Sequence, residues 1–313
     1  MTPPKVIALE EHFTSPGLRA LRGEKDTPVQ RKLDDLGELR IREMDEAGID
    51  LKIISENNPA TQNLDAETAI KLARASNDVL HEAVRRHPDR FSGFATLPTP
   101  DPAAAANELE RAVSKLGFRG AMIMGLTHGR FMDDKRFRPI FERAVELDVP
   151  LYIHPTPPHP AVQEVYFKEY LALAVAPLGF TLETLTHTFR LVVSGLFDEF
   201  PALKIIVGHL GETAPFLLWR TDNILGERAP MPRACRILPR ALLAHDQRRI
   251  FELGSDLLDC RDGCGENYVL NRLAVHVQSR RPQMDGCGAG ERPCPDADPW
   301  RQCKKAAETV MTF

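Results

Sequence analysis

The feature that most constrains this fold is an alternation of short apolar runs with longer amphipathic segments, which continues from residue 6 to about residue 228. Short apolar runs are typical of buried strands, and the segments between them have helical spacing. The predicted strands cover residues 6–9, 51–54, 91–97, 118–124, 149–154 and 203–207. The predicted helices cover residues 29–47, 66–86, 101–117, 137–147 and 162–197, the last broken near 177–179, and another begins near Glu212.

A series of β-α units predicts a parallel sheet flanked by helices, either closed as an eight-stranded barrel or open and doubly wound. Open nucleotide-binding sheets carry an early Gly-rich phosphate loop, and neither GxGxxG nor GxxxxGK[ST] occurs in this chain. In barrels the functional residues lie at the carboxyl ends of the strands, where this chain places its polar residues. We therefore predict an α/β fold of the (β/α)8 TIM-barrel type, of which residues 1–230 supply six regular units.

The composition places the chain among ordinary globular enzymes, with 43% hydrophobic residues, 27% charged residues and a formal net charge of −4. A nucleic-acid-binding surface would normally show a basic excess, so no nucleic-acid partner is expected. No apolar run approaches the ~20 residues of a membrane helix, and the first apolar stretch is too short for a signal peptide. We expect a cytoplasmic enzyme without a membrane partner.

Three histidines and a glutamate lie at the ends of predicted strands. Glu10 and His12 are two residues apart, so both side chains can leave one face of the first strand, while His154 and His209 follow the fifth and sixth strands. A carboxylate and imidazoles suit Zn²⁺, with Mn²⁺ or Fe²⁺ as alternatives. The spacing therefore predicts a divalent-metal site, although single strand-end histidines are often structural and spacing alone leaves that alternative open.

Three stretches resemble a known family. They read LEEHF at residues 9–13, LYIHP at 151–155, and SGLFDEFP at 194–201 followed by VGHLGE at 207–212. In this order they resemble the amidohydrolase-related decarboxylases, a group that includes the γ-resorcylate, 2,3-dihydroxybenzoate, 5-carboxyvanillate and aminocarboxymuconate semialdehyde decarboxylases. The resemblance extends from residue 5 to about residue 228.

The resemblance implies a role for six residues. It makes Glu10, His12 and His154 ligands of one divalent metal, Zn²⁺ or Mn²⁺. It implies that His209 is the catalytic histidine near the metal, that Glu212 orients His209, and that Arg220 faces the substrate carboxylate. It also implies a small aromatic carboxylic acid as substrate, and a homodimer or homotetramer. For Glu212 and Arg220, a helix-end charge and a surface ion pair are the alternatives.

The leading functional hypothesis is non-oxidative decarboxylation of an aromatic or unsaturated carboxylic acid, such as a dihydroxybenzoate. A second hypothesis is hydrolysis of a C–N or ester bond, including a lactone, by the same ligands. Hydrolytic members carry the motif H-x-H. In this chain Glu10 takes the place of the first His of that motif, which favours decarboxylation. A third hypothesis is an inactive or non-catalytic protein derived from the barrel.

Residues 231–313 differ from the rest in composition. All six cysteines lie between Cys235 and Cys303, Pro and Gly are dense, and no β-α periodicity continues. A small zinc module would use Cys260 and Cys264, but no paired C-x-x-C accompanies them, and a disulfide framework does not suit a cytosolic enzyme. The strand-eight Asp that the family uses as a metal ligand is also missing from this tail.

A change of reading frame accounts for these features together. Read from the second base of each codon, a permitted back-translation of residues 268–275 spells Met-Phe-Ser-Ile-Asp-Trp-Pro-Phe, which resembles the family's strand-eight Asp motif. The same shift over residues 233–248 and 300–309 permits an approach to strand seven and a final helix. We therefore predict that residues 231–313 are an aberrant, out-of-frame tail, and that the chain as written is poorly folded or inactive.

Overall fold

The computed structural model describes residues 5–214, then 216, 217, 220, 221 and 224, and the backbone strand at 268–271. All of these residues belong to one compact unit, Met1–Ala274. The strands are β1 Val6–Phe13, β2 Leu51–Glu56, β3 Phe91–Gly93, β4 Ala95–Thr96, β5 Ala121–Met124, β6 Leu151–His154, β7 Ile205–Val207 and β8 Tyr268–Asn271. The helices are α1 Pro16–Arg22, α2 Pro28–Asp34, α3 Glu38–Ala47, α4 Ala66–Arg86, α5 Pro102–Ser114, α6 Arg138–Glu146, α7 Pro160–Tyr166, α8 Gly179–Val193, α9 Leu196–Glu199 and α10 Gly208–Gly211, with 3₁₀ turns at Lys135–Phe137 and Leu171–Ala174.

Every strand pair in the described chain is parallel. One sheet has the order β3-β2-β1-β8 and the other has the order β4-β5-β6-β7. β3 and β4 are two parts of the predicted strand 91–97, interrupted at Phe94, so the strands follow one another in chain order and β8 lies on the outer side of β1. The predicted parallel α/β architecture is confirmed, and within the described residues no pairing joins β7 to β8 to close a barrel.

The helix predicted over residues 29–47 is wrong in one respect, because it is two helices, α2 and α3. The Asp35 side chain accepts hydrogen bonds from the backbone N–H groups of Gly37 and Arg40. Such local side-chain bonds compete with the helical ladder and favour a break followed by a new start. The helical stretch predicted over residues 162–197 is divided further, into α7, the 3₁₀ turn at Leu171–Ala174, α8 and α9.

The helix ends that the sequence marks most clearly are where they were predicted. Asp101 accepts from the Ala104 N–H as the N-cap of α5, and Pro102 occupies the first turn. Gly48 ends α3 with φ 67°, the left-handed conformation that favours glycine at this position. α4 spans the predicted residues 66–86, and the Asp65 side chain accepts from the Thr68 N–H at its start.

The core has two layers, one on each face of the strands. The inner layer contains the largely buried residues Ile7, Leu9, Ile53, Ala60, Phe94, Met122, Met124 and Tyr152. The larger outer layer packs the other strand face against α3, α4, α5 and α6, with Leu80, Leu109 and Phe141 at its centre. Strand residues alternate between the two layers, which fixes the direction of the side chains that follow at the carboxyl ends.

Within the described part of the chain, no helix is both long and apolar enough to cross a membrane. The tail predicted for residues 231–313 lies outside the described residues, apart from the backbone of β8.

Candidate metal centre and active site

Glu10, His12 and His154 come together at the carboxyl ends of β1 and β6. One potential ligand atom from each lies within 4.8 Å of the other two. The register of β1 against β2 shifts between Ala8 and Glu11, and Glu10 has a positive φ of 61°. Such an irregularity re-aims a side chain at a strand end, and here it brings the Glu10 carboxylate to the two imidazoles.

The contacts around His154 determine which ring nitrogen faces the cluster. Its Nδ1 lies 2.7 Å from the carbonyl oxygen of Pro155, which can only accept, so Nδ1 carries a proton. Its Nε2 lies 3.0 Å from Glu10 Oε1 and 3.1 Å from His12 Nε2. The Pro155 carbonyl also accepts from Asn58 Nδ2 at 3.0 Å, which fixes the carbonyl that orients the ring.

This donor set fits a divalent cation. Two imidazole nitrogens facing each other at 3.1 Å repel when both present lone pairs, and a carboxylate oxygen points to the same place. A cation among them turns that repulsion into coordination, and one carboxylate with two imidazoles suits Zn²⁺ or Mn²⁺. His12 Nδ1 lies 3.1 Å from Ser55 Oγ on β2, which gives the second imidazole an orienting partner as well.

His209 contacts the same carboxylate oxygen as His154. It follows β7 in α10 with φ 50°, and its Nε2 lies 2.9 Å from Glu10 Oε1. Its Nδ1 lies 2.5 Å from Glu212 Oε1, and the second oxygen of Glu212 accepts from the Thr181 hydroxyl at 2.7 Å. The structure thus brings together Glu10, His209 and Glu212, and Glu212 is the buried member, since its side chain is only 6% exposed.

The electrostatics of the cluster favour charged forms. Burial raises the pKa of Glu10, but hydrogen bonds with His154, His209 and Tyr152 outweigh burial and hold that pKa well below its usual range. Hydrogen bonds to Glu10 and then to Glu212 raise the pKa of His209 to about 10, although partial burial opposes them. With the protein alone, His209 is an imidazolium paired with two carboxylates at neutral pH.

A cavity of about 830 Å³ opens beside these residues. Glu10, His12, His154, His209 and Glu212 all line it. Asn57 also lines it, on the loop 55–62 where the sequence favoured pocket residues, whereas Ala176, Phe180 and Thr181 were not predicted. A cavity of several hundred Å³ with apolar and charged walls is typical of a small-molecule site. Phe180 is the aromatic side chain in this wall, and it precedes Thr181 in the first turn of α8.

Two further residues bear on the site, one that was not predicted and one whose predicted role is untested. Tyr152 was not identified, yet its hydroxyl donates to Glu10 Oε2 at 2.6 Å. Its position two residues before His154 on β6 was a usable signal, because residues i and i+2 share one strand face. Arg220 is exposed and is not among the described residues that line the cavity, so its role toward a substrate carboxylate stays a prediction.

The sequence matches the amidohydrolase family over residues 7–243. It is 44% identical over 230 residues to the γ-resorcylate decarboxylase of Polaromonas sp. JS666, which covers 69% of this chain and 70% of that protein. It is 41% identical over 233 residues to the γ-resorcylate decarboxylase of Rhodococcus jostii RHA1, with the same two shares.

Solved structures of the same kind are similar in fold. A dihydroxybenzoic acid decarboxylase from Polaromonas sp. JS666, with bound manganese and the inhibitor 2-nitroresorcinol, has a TM-score of 0.69 and 38% identity over 76% of each chain. A 5-carboxyvanillate decarboxylase from Sphingomonas paucimobilis has a TM-score of 0.70 and 34% identity over 76% of this chain and 79% of that one.

Proposed function

The chain belongs to the amidohydrolase family, and from this premise we propose that it is a metal-dependent carboxy-lyase that decarboxylates a dihydroxybenzoate-like acid without oxidation. The observation that carries the proposal is the convergence of Glu10, His12 and His154 on one point, with His209 beside it in the wall of one cavity. The relatives whose names state an activity on such acids include proteins above 40% identity.

The roles of the site residues are part of this proposal. Glu10, His12 and His154 hold one divalent metal, for which manganese in a similar structure favours Mn²⁺ over Zn²⁺. When bound, the metal supplies a Lewis acid that holds the substrate's carboxylate and a neighbouring hydroxyl. Arg220 is proposed as a further contact for that carboxylate.

His209 is the catalytic histidine in this proposal, and Glu212 orients it. Glu212 accepts from Nδ1, which leaves Nε2 as the nitrogen that faces the cavity and can hold a proton. A proton from Nε2 passes to the ring carbon that bears the carboxylate. The bond between that carbon and the carboxylate then breaks, its electron pair restores the aromatic ring, and CO₂ leaves.

Turnover of 2,6-dihydroxybenzoate tests the proposal. Because the chain as written is predicted to be inactive, the test uses the restored-frame protein, in which residues 231–313 are read in the shifted frame. We expect this protein, loaded with Mn²⁺, to release CO₂ and resorcinol in equal amounts, and its H209N variant to lose this activity. Hydrolysis of amide and lactone substrates, tested in parallel, would instead support the hydrolytic hypothesis. A protein that binds Mn²⁺ but turns over none of these compounds would support the non-catalytic hypothesis and overturn the proposal.

We also propose that the enzyme is cytoplasmic and forms a homodimer or a homotetramer. The support is the family membership, because the decarboxylases that the sequence resembles imply such an assembly. Light scattering of the purified protein at several concentrations checks the assembly, and a monomeric mass throughout would contradict it.

The division of the chain is a further part of the proposal: residues 1–230 form the barrel portion, and residues 231–313 are out of frame. The family match ends at residue 243 of 313. β8 pairs with β1, and the last residue of β8, Asn271, lies opposite Leu9. The residue after Asn271 is therefore the one that would lie opposite Glu10. The shifted frame spells its Asp at this point of the chain, immediately after residue 271.

Sequencing the gene and expressing both frames tests this division. We expect the restored-frame protein to be more soluble and to retain more Mn²⁺ than the chain as written, because it would supply another carboxylate ligand and a further strand. A gene whose frame encodes this tail, together with equal solubility and metal content of the two products, would overturn it.

A further inference from the structure

Thr181 lies next to the proposed catalytic pair but has no part in the function described above. It is in the first turn of α8, it lines the cavity, and its hydroxyl donates to Glu212 Oε2 at 2.7 Å. The other oxygen of Glu212 contacts His209 Nδ1, and His209 Nε2 contacts Glu10. A continuous path of hydrogen bonds therefore runs from α8 through Glu212 and His209 to the metal-ligand cluster.

The backbone around Glu212 makes this contact informative. His209 and Glu212 both have positive φ angles, 50° and 53°, which non-glycine residues rarely adopt. Such conformations persist where surrounding contacts hold them in place. The Glu212 side chain is 6% exposed, and Thr181 and His209 are the partners of its two oxygens in the described chain.

The position of Thr181 is itself rigidly set. A side chain on Gly179 would overlap the Ala174 carbonyl, with an added Cβ 2.0 Å from that oxygen, so only glycine allows α8 to begin this close to the preceding 3₁₀ turn. Thr181 follows two residues later and directs its hydroxyl to Glu212 across the chain. The start of α8 therefore holds the Thr181 hydroxyl where it donates to Glu212, in the turn that contains the two positive φ angles.

We propose that Thr181 is a positioning residue that holds the Glu212 carboxylate in the orientation in which it accepts from His209 Nδ1. The inference rests on the proposed function, in which His209 Nε2 holds the proton that the reaction uses. Without the hydroxyl, Glu212 Oε2 would be buried without a partner, and the carboxylate would rotate toward solvent. His209 is 43% exposed on its side chain and would then lose its fixed orientation.

The test compares three variants of the full chain. Thr181→Val removes the hydroxyl and keeps the shape, and Thr181→Ser keeps the hydroxyl. Thr186→Val is the matched control, because Thr186 is on the same helix and its exposed hydroxyl donates within that helix, to the Leu182 carbonyl. Thermal unfolding of all three variants checks that the fold is retained.

The first readout does not depend on turnover. The ring nitrogens of ¹⁵N-labelled His209 report its hydrogen bonds, and the H209N variant assigns their signals. We expect Thr181→Val to shift the His209 Nδ1 signal, and Thr181→Ser and Thr186→Val to leave it in place. An unchanged signal in Thr181→Val overturns the inference, and so does an equal shift in Thr181→Ser.

The second readout is the decarboxylation of 2,6-dihydroxybenzoate by the same variants made in the restored reading frame. We expect Thr181→Val to lower kcat roughly tenfold with KM changed less than about twofold, since one hydrogen bond to a charged group is lost and the substrate contacts remain. Thr181→Ser is expected to restore most of kcat. If the restored-frame protein without substitutions has no turnover, the proposed function fails, and the His209 signal alone then decides the positioning role.

Discussion

Two His–Glu pairs in this molecule use the same side chains in opposite surroundings. His209 and Glu212, at the cavity, are 2.5 Å apart, and the far nitrogen of the imidazole faces Glu10. His187 and Glu183, on α8, are 3.6 Å apart and almost fully buried. The far nitrogen of His187 accepts from the Met132 backbone N–H at 3.1 Å.

The two imidazoles differ in the surroundings of Nε2, the ring nitrogen that does not face the paired glutamate. His209 Nε2 faces a carboxylate and open cavity, so it can hold a proton and present it to a ligand. His187 Nε2 is occupied by a backbone donor, and the neighbouring Phe131 ring packs edge-on against its imidazole. His187 therefore holds residues 131–132 in place. A histidine paired with a glutamate does not by itself indicate a catalytic site.

The largest expected contrast comes from replacing two other contacts of these histidines with glutamine: Glu10, which His209 Nε2 contacts, and Glu183, the partner of His187. Glu10→Gln removes the charge at the shared metal-ligand oxygen, and we expect the Mn²⁺ affinity to fall more than about 100-fold, with activity near background. Glu183→Gln should keep Mn²⁺ affinity within about twofold, because Glu183 contacts no proposed ligand. Metal content after dialysis measures both. Equal loss of metal in the two variants would contradict the assignment.

Replacing each histidine with phenylalanine gives the next contrast. His209→Phe should lower kcat roughly 10²–10⁴-fold, the usual contribution of a positioned acid, with only a small decrease in the melting temperature. His187→Phe should leave kcat within several-fold of wild type. Steady-state kinetics of the restored-frame protein with 2,6-dihydroxybenzoate measures this contrast, and a larger kcat loss in His187→Phe would reverse the two roles.

The free energy of unfolding should show the opposite order, with the larger loss in His187→Phe. His187→Phe keeps the ring volume but leaves the buried Met132 N–H without its acceptor, so we expect a loss of about 1–3 kcal/mol in the free energy of unfolding. His209→Phe should cost less, since its side chain is 43% exposed. Urea unfolding of the two variants checks this. If His187→Phe were as stable as wild type, the anchoring role would be wrong.

The smallest expected effect is on the pH dependence of stability. In chelator-treated protein the folded state raises the pKa of His209 to about 10, above its unfolded value of about 6.5. The stabilisation from this protonation is therefore fully present below about pH 6.5 and is lost as the pH rises through about 10. Exposure screens the contribution, so the slope should be shallow.

The slope is measured as the urea midpoint between about pH 6.5 and pH 10. His209→Phe should flatten it in this window, while His187→Phe should keep it. A slope of wild-type steepness in His209→Phe would assign the pH dependence to other groups.

Local sequence signals were sufficient for the elements that carry the site. The alternation of apolar and amphipathic segments predicted all seven strands up to residue 207, with β3 and β4 predicted as one, because burial on a parallel sheet selects short runs of apolar residues. Strand-end position predicted that Glu10, His12, His154 and His209 would converge, since parallel strands present their carboxyl ends on one side. The family resemblance selected the first three as metal ligands, and the structure brings these three together. Glycine and proline signals correctly placed the ends of α3 and α5.

The chain's own sequence thus determined the order of its strands and helices and the identity of its candidate ligands. Only the tertiary structure decided that Tyr152 and His209 contact the Glu10 carboxylate. It also decided that Thr181 donates to Glu212 and that His187 accepts from the Met132 backbone N–H. The physical reason is distance along the chain. Periodicity and capping act between near neighbours, whereas a hydrogen bond across 31 or 142 residues depends on how strand ends and helix starts pack against one another.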